Sequence, residues 1–307
     1  MLTVTQGCVT HATQRPFTTF DGHTLALFDW PLTRESPLGG AAPPDPKAVV
    51  VLVHGLGEHA WRYHRLATEL NAAGYAVRAY DQRGHGESSG PRGCLPGEHT
   101  LLQDLAEVVE DTRATLCRAR HVPLVLLGHS LGGLVSALWV GRAQQALRHH
   151  RLPVDALVLS SPALRIDWGW WQRAMLAAWP QSLPHVTLGS GLDARQLSHD
   201  PAVVAAYQAD PLVHDRVSRR LAHFMADAGP EVLALACQWR VPTLLMYAGS
   251  DLLVNPRGSQ VFGQRAPVGV VQSQCFEDFF HDIFNETHRL EAVNTLVDWL
   301  NVSLQQP

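Results

Sequence analysis

Between residues 48 and 160 the chain repeats one pattern, a short run of β-branched and aliphatic residues followed by a longer stretch with apolar side chains at helical spacing. The short runs are Ala48 to Val53, Ala76 to Tyr80, Leu124 to Leu127 and Ala156 to Leu159, and the rhythm returns at Thr243 to Tyr247. They do not alternate with polar residues, so neither face of such a strand is turned to water, as in the middle of a parallel sheet. Parallel neighbours need a crossover, and Trp61 to Ala73, Leu101 to Arg118 and Leu131 to Leu147 supply helical ones. The pattern predicts an α/β protein with a mostly parallel, doubly wound sheet. Phe17 to Phe20 and Thr24 to Asp29 read as a leading strand pair, and Pro37 to Pro46 as loop. A last strand is expected over Val268 to Phe276, with Glu286 to Leu300 as a closing amphipathic helix.

The alternation breaks between Pro162 and Arg240, where prolines, glycines and tryptophans crowd together. This predicts an inserted, largely helical cap over 162–240 on a core made of 1–161 and 241–307, with the C-terminal part of the insertion open to being a core helix. With 307 residues, 46% hydrophobic and 17% charged, the chain can bury one large core and still carry such an insertion. A formal charge of -4 offers no broad basic field, which argues against a nucleic-acid partner. Lys47 is the only lysine among 24 cationic side chains and has no glycine-rich loop before it, so a phosphate loop is excluded. Cys8, Cys94, Cys117, Cys237 and Cys275 are odd in number and scattered, which suggests neither disulfides nor a zinc site. No secretion signal or membrane-spanning run is visible, so a cytoplasmic protein is expected, with peripheral membrane contact left open.

G-x-S-x-G occurs twice, and only its context tells the copies apart. Gly86 to Gly90 (GESSG) follows a polar loop and runs into Pro91, with no strand before it and no helix after. Gly128 to Gly132 (GHSLG) follows the strand PLVLL and opens the helix LGGLVSALWV. That is the strand-turn-helix setting of a nucleophile elbow, which makes Ser130 the candidate nucleophile. The dipole and free amides at the start of the following helix favour an oxyanion, with the Leu131 NH as one donor. A serine needs a base, and the base a carboxylate to orient it. Asp251 follows the strand VPTLLMYAG, and His281 lies in the loop FEDFFHDIFNE before the final helix. Chain order and placement select them over the local rivals Asp278, Asp282 and His288, the last of which reads as already helical. A second oxyanion donor is expected from the loop VVVLVHGLGEH, at the Leu56 NH. Glu58 and Arg62, spaced i, i+4, could brace that loop or simply face solvent.

A reading from another class competes at the same loop. Gly55, Gly57 and Ala60 form G-x-G-x-x-A between a strand and a helix, and Asp81 ends the next strand, as in an NAD(P)-dependent oxidoreductase. His54 before the first glycine, the two leucines and Glu58 speak against a pyrophosphate there. A binding protein on an inert site is a third reading, against which the ordered trio argues. No H-E-x-x-H appears, which argues against metal-dependent hydrolysis, and an acyl transfer on the ordered trio needs neither metal nor cofactor.

Taken together, HGLGEH, DQRGHGESSG, GHSLGG, GSDLLV and HDIFNE resemble the monoacylglycerol lipase and bacterial lysophospholipase group of α/β-hydrolases, of the serine aminopeptidase S33 type. The likeness extends into the insertion, at LSHDPAVVAAYQADPL. The resemblance implies the α/β-hydrolase fold, a triad of Ser130, Asp251 and His281, and an oxyanion hole from the Leu56 and Leu131 amides. It implies hydrolysis of a small-molecule acyl ester or lipid, foremost a monoacylglycerol or similar mono-acyl ester, with a lysophospholipid or a short-chain ester as alternatives. In that group an amphipathic cap opens an apolar tunnel above the serine. Trp168, Trp170, Trp171 and Trp179 fall in one short segment here, and they either pack the cap or form a greasy mouth for an acyl chain or a lipid surface. Trp170, Trp171 and Leu253 are the expected substrate-contacting side chains.

Overall fold

The computed structural model describes residues 12–32, 45–117, 122–147, 152–180 and 186–304. An antiparallel pair, β1 (Thr13–Thr18) and β2 (Thr24–Trp30), leads the chain. The winding follows as β3 (Val49–Val53), α1 (His64–Ala72), β4 (Ala76–Tyr80), α2 (Thr100–Thr115), β5 (Leu124–His129), α3 (Leu131–Ala146) and β6 (Ala156–Ser160). Between β6 and the next strand of the main sheet lie α4 (Trp170–Ala178), β7 (Thr187–Gly189), α5 (Pro201–Ala209), β8 (Arg216–Ser218) and α6 (Arg219–Leu235), within the stretch read from the sequence as an insertion. The chain then closes with β9 (Thr243–Ala248), α7 (Arg257–Arg265), β10 (Val271–Phe276) and α8 (Leu290–Ser303).

Eight strands form one sheet in the order β1-β2-β4-β3-β5-β6-β9-β10, while β7 and β8 pair separately. In the main sheet β2 runs antiparallel to both neighbours, and the other pairs are parallel. Every residue of β3, β4, β5, β6 and β9 is buried, which is why their sequences read as unbroken apolar runs. Alternate residues serve opposite faces. Val51, Val53 and Leu126 pack with α2, α3, α6 and α7, whereas Val50, Leu52 and Leu127 pack with α1 and α8. From within the insertion, α6 contributes Leu221, Met225 and Val232 to the first of these clusters. It also comes close to α3, where a Cβ on Gly141 would stand 2.8 Å from Leu235 Cδ1.

Several boundaries differ from the sequence reading. β1 starts earlier and runs through Pro16, which an edge strand tolerates because its outer side needs no ladder donor; Phe20 instead sits exposed in the turn after it. The helix read from Trp61 begins as a 3-10 turn at Ala60–Tyr63, and α1 proper starts at His64. α8 begins at Leu290, so His288 stands ahead of the helix and not inside it. The loop from Pro37 lies largely outside the described residues. Among the described residues no helix is long and apolar enough to cross a membrane.

Candidate active site

Strand order reverses at β3, since the chain leaves it for β4 on one side and returns to β5 on the other. The crevice at the carboxyl ends of β3 and β5 is therefore where a doubly wound sheet receives a ligand. Ser130 stands there, between β5 and α3, at φ 53° and ψ -117°, a left-handed conformation that a non-glycine residue adopts only when its surroundings impose it. Backbone bonds impose it here: the Ser130 amide donates to Ser160 O (2.9 Å), and the Ser130 carbonyl accepts from Leu134 (3.0 Å) and Ala163 (3.0 Å). The flanking glycines are a matter of space. A Cβ on Gly128 would lie 2.5 Å from Gly132 O, and one on Gly132 would lie 2.1 Å from Val53 O. The other copy of the motif is a loop brace, with Ser88 Oγ donating to Asp81 O (2.6 Å) and accepting from the Ala26 amide (2.9 Å).

Asp251 and His281 come together behind this turn. Oδ1 of Asp251 accepts the Leu253 and Val254 amides (both 2.9 Å), which fixes the carboxylate and leaves Oδ2 for His281 Nδ1 at 2.6 Å. With Nδ1 donating there, the imidazole keeps its lone pair on Nε2. Burial by itself lowers the pKa of His281, but the carboxylates that face it, Asp251 first and then Asp282 and Glu58, together hold the pKa above the ordinary value. The ring packs on His129, the residue before Ser130, with centroids 4.8 Å apart. His129 is kept neutral, first by burial and then by His281.

The loop after β3 closes the other side. Gly55 lies against the serine, so that a Cβ there would be 3.2 Å from Ser130 Cβ. Its amide donates to Glu58 Oε1 (2.6 Å), which also accepts from Tyr63 Oη (2.6 Å). Glu58 and Arg62 turn out to be a buried pair (2.9 Å), and Arg62 also reaches Asp282 (3.2 Å), so they brace the loop and do not face solvent. Gly57 (φ 75°) has no room for a side chain, since a Cβ would be 2.2 Å from His214 O. Asp81, the residue that invited a ribose, spends its two oxygens on the Ala60 and Glu87 amides (2.7 Å each). Both features of the dinucleotide reading are thus occupied by the protein itself.

Ser130, Asp251, His281, Leu56 and Leu131 all line one cavity of about 680 Å³, within the range of small-molecule sites. Leu253 lines it too, as do Trp168, Leu176 and Trp179. Trp170 does not. It is 83% exposed at the start of α4, about a third of a helical turn round from Leu176, so proximity in sequence misled where periodicity decides. Trp171 belongs to α4, but its side chain lies outside the described residues. Tyr207, Met225 and Asp282 line the cavity as well; Asp282 stands next to His281 in sequence, whereas nothing local marks Tyr207 and Met225, whose approach depends on how the stretch between β6 and β9 folds back.

The profile of the family described as "Serine aminopeptidase, S33" matches residues 44–288. A monoacylglycerol lipase of Mycolicibacterium smegmatis is 33% identical over 264 residues, covering 83% of this chain and 89% of that one. An uncharacterised abhydrolase domain-containing protein of Dictyostelium discoideum is 31% identical across 94% of this chain, which spans only 29% of that protein's length. Among solved structures, the monoacylglycerol lipase of Paleococcus ferrophilus superposes with a TM-score of 0.75 at 28% identity, over 95% of this chain and 99% of that one.

Proposed function

The chain belongs to the serine aminopeptidase S33 family of α/β-hydrolases, and from that premise we propose that it cleaves carboxylic esters through a serine acyl-enzyme. The observation that carries this reading is the pairing of His281 with Asp251 at 2.6 Å on the same cavity as a backbone-strained Ser130. Ser130 Oγ attacks the ester carbonyl while His281 Nε2 takes its proton. Asp251 holds the ring and steadies the imidazolium. The tetrahedral oxyanion sits between the Leu56 and Leu131 amides, and the α3 dipole adds to its stabilisation. His281 then protonates the leaving alcohol, after which it activates a water that releases the carboxylic acid from Ser130. Each step uses this chain's own groups.

For substrate we propose monoacylglycerols and similar medium- to long-chain mono-acyl esters. A cavity with an apolar wall at Leu176, Leu188, Val217 and Met225, and polar groups from Glu58, Tyr207 and Asp282, suits one acyl chain on a small polar alcohol. The names of the two relatives called monoacylglycerol lipases point the same way. Residues 162–240 act in this reading as the cap, and the exposed Trp170 is its point of contact with a lipid surface. Ser130→Ala is expected to fold normally and to lose turnover of p-nitrophenyl esters by about 10³-fold or more. Substantial residual activity would remove Ser130 from its role. Rates in a p-nitrophenyl series that peak at acetate and vanish at decanoate would remove the acyl-chain assignment.

A further inference from the structure

The loop that carries His281 is held from the insertion as well as from the core. Glu286, whose side chain is only 1% exposed, turns its carboxylate back into this loop. It accepts the Phe280 amide (2.8 Å) and the Thr287 amide (3.0 Å), which spans the base of the turn. Its remaining contacts come from the insertion: the His199 amide (3.2 and 3.3 Å) and His199 Nδ1 (2.9 Å). The His199 ring lies flat on Phe280, with centroids 3.7 Å apart. Two further bonds join the same segments, the Asp282 amide to Leu197 O (2.8 Å) and Ser198 Oγ to Asn285 O (2.9 Å).

These contacts have a particular arrangement around the imidazole. The amide before His281 is fixed by Glu286, and the amide after it by Leu197. Asp251 fixes the ring at Nδ1. With the backbone held on both sides and one ring nitrogen tethered, little freedom is left to Nε2. We propose that Glu286 is a positioning residue for His281, and that Leu197, Ser198 and His199 form the insertion's half of one clamp on the base. The clamp rests on the reading of His281 as that base. A loop released from it would still bind substrate in the cavity but would present Nε2 less often at the distance a proton transfer needs, so the cost falls on kcat and not on KM.

Glu286→Gln keeps the shape of the side chain but puts an NH₂ where a backbone amide now donates, and His199→Ala removes the side-chain contact to Glu286 at a half-exposed residue. Arg195→Ala, at an exposed side chain paired with Asp193, is the control from the same segment. Three quantities are measured on each: kcat and KM for p-nitrophenyl butyrate, the unfolding midpoint, and hydrogen exchange of the peptide 277–288. Glu286→Gln is expected to lower kcat by about 30- to 100-fold and His199→Ala by about 3- to 10-fold, both with KM within about twofold, and both with faster exchange of that peptide. Arg195→Ala should change none of the three. Unchanged kcat per folded molecule, or a loss of kcat with no change in exchange of 277–288, overturns the proposal. If Glu286→Gln does not fold, His199→Ala decides by the same criteria. Failure of the underlying reading has a separate signature, a native protein that takes no fluorophosphonate at Ser130. The exchange measurement then still shows whether Glu286 and His199 hold the loop.

Discussion

Around Ser130 each turn of backbone is fixed by a group buried beside it, whereas α4, which lines the same cavity through Leu176, carries Trp170 out into solvent. The rim of the sheet is over-determined: glycines without room for a Cβ, a carboxylate with its oxygens assigned, a positive φ held by three backbone bonds. The later part of the insertion shares this character. His214 N donates to Gly57 O (2.8 Å), His59 Nε2 meets Asp210 (2.8 Å), and Arg62 lies over the Tyr207 ring (4.8 Å). Together with the Leu197 to His199 contacts, these tie residues 197–214 to the loop after β3 and to the loop that carries His281. The stretch between β6 and β9 therefore has two parts, one that behaves as an extension of the rim and one that presents apolar surface. Chemistry needs atoms placed to fractions of an ångström, while holding a flexible acyl chain needs only a greasy wall.

The largest effect should come from the rim. Asp251→Asn keeps the size of the side chain but can no longer accept the Nδ1 proton as a carboxylate, so it favours the wrong tautomer of His281. Turnover of a p-nitrophenyl ester is expected to fall by about 10³- to 10⁴-fold with little change in the unfolding midpoint. A loss under tenfold would mean that His281 is oriented by something other than Asp251. Gly132→Ala tests the rim by crowding. The added Cβ would stand 2.1 Å from Val53 O, a backbone atom that cannot step aside. A destabilisation of about 3 kcal/mol or more is expected, lowering the midpoint by roughly 5 to 10 °C. A neutral result would show that the elbow has slack the comparison denies it.

Acid should also separate the regions. His54, His85, His129 and His214 are all lowered by burial, His214 to about 4. An unfolded chain takes up those protons near pH 6.5, before the folded one does. The unfolded state then binds more protons, so stability falls as pH drops from about 6.5 towards 4. His281 has the opposite sign: its raised pKa adds stability that is present below about 6.5 and is lost as pH rises through the folded value. For activity the same raised pKa places the acid limb of kcat/KM above about 6.5, since the base must be neutral to act. Unfolding midpoints and kcat/KM measured at the same pH values from 4 to 8 check both. An acid limb below 6.5 would mean that burial outweighs the carboxylates facing His281.

How much of this was legible depended on whether the signal was local. The buried strands announced themselves because each is apolar on both faces, and Ser130 because an elbow needs glycine, strand and helix in consecutive residues. That Asp251 and His281 would pair beside Ser130 was expected from chain order and from their places after β9 and β10. What stayed hidden was made by contacts between remote segments. Glu286 lies 87 residues from His199, and Asp210 lies 151 from His59, separations that leave no period in the sequence. The pair β7 and β8, three residues each, is too short to show an alternation. Trp170 was misplaced because a cluster of tryptophans says that apolar surface is near, not which way a helix turns it.

The staple between the two regions should give an intermediate effect, and α4 the smallest. His59→Ala removes the bond to Asp210 and is expected to cost about 1 to 2 kcal/mol, read by denaturant titration. Trp170→Ala removes a side chain that is already 83% exposed, so little burial is lost and the unfolding free energy should move by less than about 0.5 kcal/mol. Turnover of p-nitrophenyl acetate, which needs only the rim, should stay within about twofold. Binding to anionic or zwitterionic vesicles loaded with monoacylglycerol should weaken, because an indole at an aqueous boundary is suited to the interface of a bilayer. Loss of acetate turnover in this variant would show that α4 reaches the rim around Ser130 after all, and the division between the two parts of the stretch between β6 and β9 would fall with it.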